Sequence, residues 1–452
     1  MGQSSEDADQ WQLLDDSYQH LTEANRLFKA AERASAEVIK KPVSSRVPFG
    51  YPQAQAVYMS TLVVKQWLAK AGVKIYYRGF EKLQKVEGRR NIITPSHPNP
   101  FDSIATRYLM YLNNQVVPFT PALVHLTKIP IFEKLLRNNG TFFIDVHRFG
   151  DLQYREEINT LMRSITDNGE WLCFYAEGGR ELNERPRLLR RGLLKAMVDR
   201  PCAFFPMSVS YEKIAHSYIS GIGNIYIQLH DPILYGQESY SLGAERSFTN
   251  FEPFVNELSA SLVKGVNAYT TDLVATMLLH YEAGSTVSLE ELERDVDWLR
   301  AVIVSREVPY VEVPLLQALQ YLKVDHNKSK VRVPSSEPKE QKWLFDHRER
   351  ILHALYDLAD PPAFLAKEFA WTPPPPLIGD DRLRELAAKA IKPLINVYAN
   401  IITLLDRGVN QIKEIERLAV TPLVGVHPVK NTLRILQAQR IISVADGVVS
   451  LN

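Results

Sequence analysis

The feature that most constrains this chain is an alternation. Between residues 73 and 229, short apolar runs take turns with segments of helical length and period. Residues 73–77 read as a strand closed by Gly79, Ile92-Ile93 as a second, and 141–144, 171–176, 203–211 and 224–229 as further strands, with 116–124 extended. Between them, residues 102–111, 132–137, 154–165 and 192–198 carry helical patterns; in 154–165 the apolar positions fall at Ile158, Leu161, Met162 and Ile165. Strands separated by helix-length segments predict an α/β fold with a mixed, largely parallel sheet flanked by helices. In such sheets functional groups gather beyond the strand C-terminal ends.

The flanks are different. Residues 1–70 read as a helical leader, with Trp11, Leu14, Tyr18, Leu21 and Leu27 on one face, and with Val57, Leu62, Val63, Trp67 and Leu68 on a second helix over 53–70. This leader packs on the main domain or lies on a membrane surface. Past the α/β domain (71–250), a helical extension covers 251–334. Helices are expected over 254–271, 276–281 and 288–303, with Ser288 and Glu291 at capping-box spacing, and a hairpin over 321–333. Residues 335–381 read as a charged linker and a helical segment that includes the proline run 373–376. The last part, 382–452, reads as helices followed by a hairpin turning at Asp446-Gly447. That is winged-helix-like, and without a dense basic stripe it favours packing over DNA binding.

Bulk properties remove several classes. A chain of 452 residues with net charge +1 lacks the basicity of a protein held by nucleic acid, and no nucleic-acid partner is expected. The two cysteines, Cys173 and Cys202, sit inside apolar runs and read as small core residues, not as a disulfide or a metal site. No apolar run reaches the ~20 residues that span a bilayer, and residues 1–10 lack the basic and apolar blocks of a secretory signal. A peripheral protein on the cytoplasmic face of a membrane is the expectation.

Three stretches carry the chemistry. In Ile92-Ile93-Thr94-Pro95-Ser96-His97-Pro98-Asn99-Pro100-Phe101-Asp102 a buried strand ends in a loop that delivers His97, and Asp102 follows as a helix begins. Of the eleven histidines only His97 has Asp at the fifth following position. These are the parts of a general base and its orienting carboxylate. In Phe142-Phe143-Ile144-Asp145-Val146-His147-Arg148 a cation follows a buried strand. In Phe174-Tyr175-Ala176-Glu177-Gly178-Gly179-Arg180 a strand runs into a carboxylate, two glycines and an arginine, with Arg185, Arg187, Arg190 and Arg191 beyond. Glycines let backbone N–H groups approach an anion, and arginine offers a planar fork for phosphate.

Taken in order, with the strand Phe204-Phe205-Pro206-Met207-Ser208-Val209-Ser210-Tyr211 as a fourth element, these stretches resemble the four blocks of the glycerolipid acyltransferase superfamily. The resemblance covers roughly residues 73–235. Residues 275–279 and 287–300 are similar to the helical tail of its glycerol-3-phosphate and dihydroxyacetone-phosphate branch. It implies an O-acyltransferase of phospholipid or ether-lipid biosynthesis, moving a fatty acyl group from acyl-CoA or acyl carrier protein to a hydroxyl of glycerol 3-phosphate or dihydroxyacetone phosphate. Acyl-CoA or acyl carrier protein is a co-substrate; no cofactor and no metal are implied. His97 would be the base and Asp102 its partner in the His-x4-Asp motif, without a covalent intermediate. Arg148, Glu177, Gly178, Gly179 and Arg180 map onto acceptor-binding blocks, Arg185, Arg187, Arg190 and Arg191 onto further phosphate or coenzyme A contacts, and Pro206 onto the acyl-donor block. Backbone N–H groups near residues 97–99 or at the start of the Asp102 helix are expected to meet the developing oxyanion. Two departures from the pattern stand out: Asp145 and Val146 replace the usual arginines of the second block, and Glu181-Leu182 follow Arg180. They motivate two other readings, a lysophosphatidate or other lysolipid acyltransferase and a non-catalytic lipid-binding or assembly protein.

Overall fold

The computed structural model describes residues 11–13, 72–98, 102–114, 117–124, 136, 140–178, 189–213, 222–236, 246–351, 381–421, 423, 429–430, 432–433, 436–437, 441–445 and 447–451. They fall into two compact units, one closing near Leu262 and the other holding Val263 onward.

The first unit contains β1 (Gln12–Leu13), β2 (Ile75–Arg78), β3 (Arg90–Pro95), α1 (Asp102–Asn114), β4 (Thr120–Leu123), β5 (Thr141–Ile144), α2 (Leu152–Asp167), β6 (Leu172–Cys173), α3 (Arg191–Met197), β7 (Cys202–Lys213), β8 (Ile222–Leu229), β9 (Ile233–Tyr235), β10 (Ser247–Phe248) and α4 (Phe251–Lys264). The sheet runs β1-β2-β8-β7-β3-β6. β3 lies parallel to both β6 and β7, and β2 parallel to β8; β1–β2 and β7–β9 are antiparallel. Phe119 bridges Leu172 in parallel fashion, and β4 then pairs in parallel with β5, extending the layer beyond β6. The expected mixed, largely parallel sheet is present.

Period-two alternation explains how the sheet is filled. Ile93, Phe205, Met207, Val209 and Tyr211 face one side and pack with Ala105, Tyr108, Leu109 and Met110 of α1. Ile92, Leu172, Cys202 and Phe204 face the other and pack with Ile158, Met162 and Ile165 of α2 and Phe254 and Leu258 of α4. Ile92 and Ile93 are fully buried on opposite faces, each stabilising the unit by roughly 1.5–3 kcal/mol. That two-sided burial is why β3 reads as a continuous apolar run, and it makes β3 a rigid mount for the loop beyond Pro95.

The second unit is mostly helical. After β11 (Ala268–Tyr269) come α5 (Thr270–His280), β12 (Thr286–Ser288), α6 (Leu289–Val304), β13 (Tyr310–Val311), α7 (Leu315–Tyr321), β14 (Lys330–Arg332), α8 (Pro338–Ile351), α9 (Asp381–Asp406), α10 (Ile412–Leu418) and the hairpin β15 (Ile442–Ala445) with β16 (Val448–Leu451). Ser288 caps α6 as its spacing predicts, its hydroxyl accepting from Glu291 N at 3.1 Å. In α5 residues 270–278 are all buried, as expected of an element enclosed on all sides.

Several local expectations differ from the structure. Trp11–Leu13 is extended rather than helical: Gln12 and Leu13 pair with Tyr77 and Tyr76, and Trp11 packs edge-on against Tyr226 under the Arg78 guanidinium. The rest of the leader, the 132–137 helix apart from Leu136, and the proline run lie outside the described residues. The helix expected over 254–271 stops at Lys264, before Gly265, and restarts at Thr270. The hairpin expected over 321–333 is present as a short turn, with His326 bridging Val331 in antiparallel fashion and Arg332 N donating to Asp325 O at 2.9 Å, and β14 pairs in addition with β12, where Val331 meets Val287 and both are buried. The charged linker at 335–342 opens a helix instead: Pro338 occupies its first turn, where its missing N–H costs nothing, and Glu340 accepts from Ser335 N at 2.8 Å.

Candidate active site

The site is built on the C-terminal end of β3. After Pro95 the chain stays tied to β7: Ser96 N donates to Met207 O at 2.8 Å, and Ser96 Oγ accepts from Val209 N at 2.9 Å. His97 precedes Pro98, which biases its backbone to extended conformations. Its own N–H donates to Glu177 Oε2 at 3.0 Å. The imidazole is thus carried by a loop fixed at three successive points.

Asp102 opens α1, where the helix dipole favours an anion. Its Oδ2 lies 3.0 Å from His97 Nδ1, and its Oδ1 accepts from the Tyr211 hydroxyl. Asp102 is fully buried, while the His97 side chain keeps 12% exposure. An ionised carboxylate accepts only, so Nδ1 carries the hydrogen and Nε2 keeps its lone pair. The Tyr175 ring stacks on the imidazole with centroids 3.9 Å apart and planes 21° apart. Burial pushes the Tyr175 phenol well up, with the nearby Cys173 and Asp102 adding to it, so it stays neutral. This constellation can take a proton at Nε2 and stabilise the resulting imidazolium on two sides, by the Asp102 charge and by an aromatic face.

Glu177 and Gly178 follow β6 in a tight turn closed by Gly178 N donating to Tyr175 O at 2.9 Å. Gly178 has φ +66°, and a Cβ there would lie 2.2 Å from Arg190 Cδ. Glycine is required both for the left-handed backbone and for the Arg190 stem that crosses it. Arg190 N in turn donates to Ala176 O at 2.7 Å. His97, Asp102, Glu177, Gly178 and Arg190 are therefore drawn together at one place.

The other expected residues are dispersed. Arg148 sits past β5 on the same sheet edge, since β3, β6, β4 and β5 all run in parallel; β5 is three strand spacings from β3, or ~14 Å. Arg148 is 56% exposed and lies over the Tyr154 ring at 4.2 Å. Asp145, which replaces an expected cation, caps the short turn bearing Arg148: its Oδ1 accepts from His147 N at 3.0 Å. Arg191 is turned to Glu252, with N···O distances of 2.8 and 2.7 Å on the surface. Pro206 lies inside β7 opposite Thr94, its carbonyl accepting from His230 N at 2.9 Å. Gly179, Arg180, Arg185 and Arg187 lie outside the described residues. The His97 N–H, expected among the oxyanion donors, is already committed to Glu177.

Tyr175 and Tyr211 are the side chains that sequence reasoning left out. Tyr211 shares a strand face with Met207 and Val209, and that alternation was the available signal. A second His–Asp pair joins His347 Nδ1 to Asp272 Oδ1 at 2.8 Å in the helical unit. Both residues are fully buried, and Asp272 is also paired with Arg350, so this pair holds α5 to α8 rather than meeting a substrate.

Residues 74–210 match the Acyltransferase family. The glycerol-3-phosphate acyltransferase of Pseudomonas fluorescens (strain Pf0-1) is 25% identical over 205 residues, 43% of this chain and 24% of its own length. The protein of the same name from Alteromonas mediterranea is 24% identical over 337 residues, 63% of this chain and 41% of its own length. The chain thus spans less than half the length of these relatives. Among solved structures, the 1-acyl-sn-glycerophosphate acyltransferase PlsC of Thermotoga maritima aligns with 46% of this chain and 76% of its own at 15% identity, with a TM-score of 0.34. The family match begins one residue before β2 and ends one residue short of Tyr211, so the stretch that resembles the acyltransferase family is the one that holds the His97–Asp102 pair and its mount.

Proposed function

We propose that this chain transfers a fatty acyl group from a thioester, acyl-CoA or acyl carrier protein, to a hydroxyl of glycerol 3-phosphate or dihydroxyacetone phosphate. The observation that carries the reading is the hydrogen bond from His97 Nδ1 to a buried Asp102, which leaves the Nε2 lone pair to act as the base. The name shared by the Pseudomonas and Alteromonas relatives supports a glycerol 3-phosphate acceptor.

In this mechanism the acceptor oxygen attacks the thioester carbonyl carbon as its proton passes to His97 Nε2. Asp102 stabilises the imidazolium. The tetrahedral intermediate collapses, the C–S bond breaks, and the proton on Nε2 goes to the departing sulfur. No enzyme nucleophile is consumed, because the substrate hydroxyl takes the place that serine holds in a triad. Glu177 fixes the His97 backbone, and Arg190 brings a cation beside the same turn. The lipid product leaves into a membrane, so the enzyme works at a bilayer surface; among the described residues no helix is long and apolar enough to cross one.

His97→Ala is expected to lower thioester-dependent acyl transfer on the order of 10²–10⁴-fold while leaving the far-UV circular dichroism unchanged. The assay compares glycerol 3-phosphate, dihydroxyacetone phosphate and lysophosphatidate. Wild-type turnover by the alanine variant overturns the role of His97. Preference for lysophosphatidate reassigns the acceptor.

A further inference from the structure

Among the described residues Arg107 is a cation without an anion. It lies on α1, five residues after Asp102, and is half-buried. Among the described residues its hydrogen bond is to a neutral group, from NH2 to Thr141 Oγ1 at 3.1 Å. Its Nε is enclosed with no partner, and no carboxylate of the described residues lies within ion-pair distance. Arg90 of the same unit, by contrast, is 4% exposed and is bracketed by Asp167 and Asp199. A guanidinium withdrawn from water costs several kcal/mol unless an anion or hydrogen bonds compensate it. Burial accordingly pulls the Arg107 pKa down from its ordinary value.

The surroundings say what the missing anion is near. Tyr175, whose ring lies flat on His97, is within electrostatic reach of Arg107. One tyrosine therefore borders both the base and the uncompensated cation. Arg148, the cation expected to face the acceptor, instead lies exposed over Tyr154.

We infer that Arg107, with Thr141 Oγ1 beside it, binds the phosphate monoester of the acceptor and thereby sets which hydroxyl compounds reach His97. A half-buried guanidinium beside a neutral hydroxyl offers charge and hydrogen bonds to a terminal dianion. The inference rests on the acyl-transfer reading for the word acceptor, and on the enclosed charge alone for the anion site.

Thermal unfolding and turnover test the two parts separately. Arg107→Met removes a charge that the ligand-free fold leaves uncompensated, so the free variant is expected to melt at or above the wild-type temperature. Inorganic phosphate and glycerol 3-phosphate are expected to raise the melting temperature of the wild type and to leave the variant unmoved, with glycerol ineffective on both. In steady state, Arg107→Met should raise KM for glycerol 3-phosphate about 10- to 100-fold, the loss expected for a hydrogen bond to a charged group, with KM for the acyl donor unchanged; Arg107→Lys should recover part of it. A variant that melts below wild type, or that phosphate protects equally, overturns the anion site. Protection of the wild type by coenzyme A but not by glycerol 3-phosphate overturns the acceptor assignment. Intact phosphate protection in a protein that transfers no acyl group overturns the acyl-transfer reading and leaves the anion site standing.

Discussion

Tyr211 shows how much one hydroxyl does at this site. Asp102 is wholly enclosed, and an enclosed carboxylate keeps its charge only while donors surround it. One oxygen has His97, the other has Tyr211. Tyr211→Phe is expected to lower kcat about tenfold or more at saturating substrates, the loss of a charge-assisted hydrogen bond, with both KM values near wild type because the phenol is fully buried against Asp102. Steady-state kinetics on both substrates checks this, and an unchanged kcat would remove Tyr211 from the relay. The His-x4-Asp spacing makes the first two members of this relay legible in the sequence, because loop and helix start are adjacent along the chain. The third is 109 residues from Asp102. It reaches the site only through the parallel pairing of β3 with β7, and a pairing register between distant strands leaves no local trace. Tyr175 is visible as part of an apolar strand, but its stacking on His97 depends on the β3–β6 register in the same way. Arg107 is hidden for another reason: a cation on a helix reads as solvated until its neighbours are known.

Elements are legible where their signals are local. The α/β alternation, the cap at Ser288 and the terminal hairpin are written in period and caps; the Asp151 cap, which accepts from Gln153 N and Tyr154 N, starts α2 two residues before the helix expected from Tyr154. Local patterns mislead by omission where a distant partner adds to them, as where Lys330–Arg332, already bridged to His326 through Val331, also pairs with Thr286–Ser288. The proline at the first turn of α8 misleads in another way, since by itself it reads as a break. The same caps explain an apparent oddity in the second block. Asp145 holds the turn Val146–Gly150 by accepting from His147 N, and its own N–H donates to Tyr154 Oη at 2.7 Å. Asp145→Ala should therefore cost about 1 kcal/mol of stability by urea titration, while Asp145→Asn, which caps equally well, should cost little. Equal losses in the two would mean that the charge, not the cap, is what the position supplies.

Across the whole molecule, buried histidines set the response to acid. His230 is pushed down to about 3 by burial, with Arg246, Lys82 and Arg78 adding to the effect. His347 is lowered by burial against the opposing pull of Asp272. An unfolded histidine titrates near 6.5, so below that pH the unfolded chain takes up protons that the folded chain refuses. Stability is then complete above about pH 6.5 and falls as the pH drops, by at most about 1.4 kcal/mol per pH unit for each such residue. Urea midpoints at pH 7.5 and 5.0 should show this loss, and His347→Gln should flatten the slope for the helical unit; a midpoint independent of pH would mean that both imidazoles accept protons in place. The order of the strands has a last consequence, in time. His97 must wait for Glu177, 80 residues further on, and Asp102 for Tyr211, 109 further on. At translation speeds of about 5–20 residues per second, the base leaves the ribosome some 5–20 s before its last partner. A half-made chain thus carries a histidine but not its partners, and the full constellation arrives only with the completed sheet.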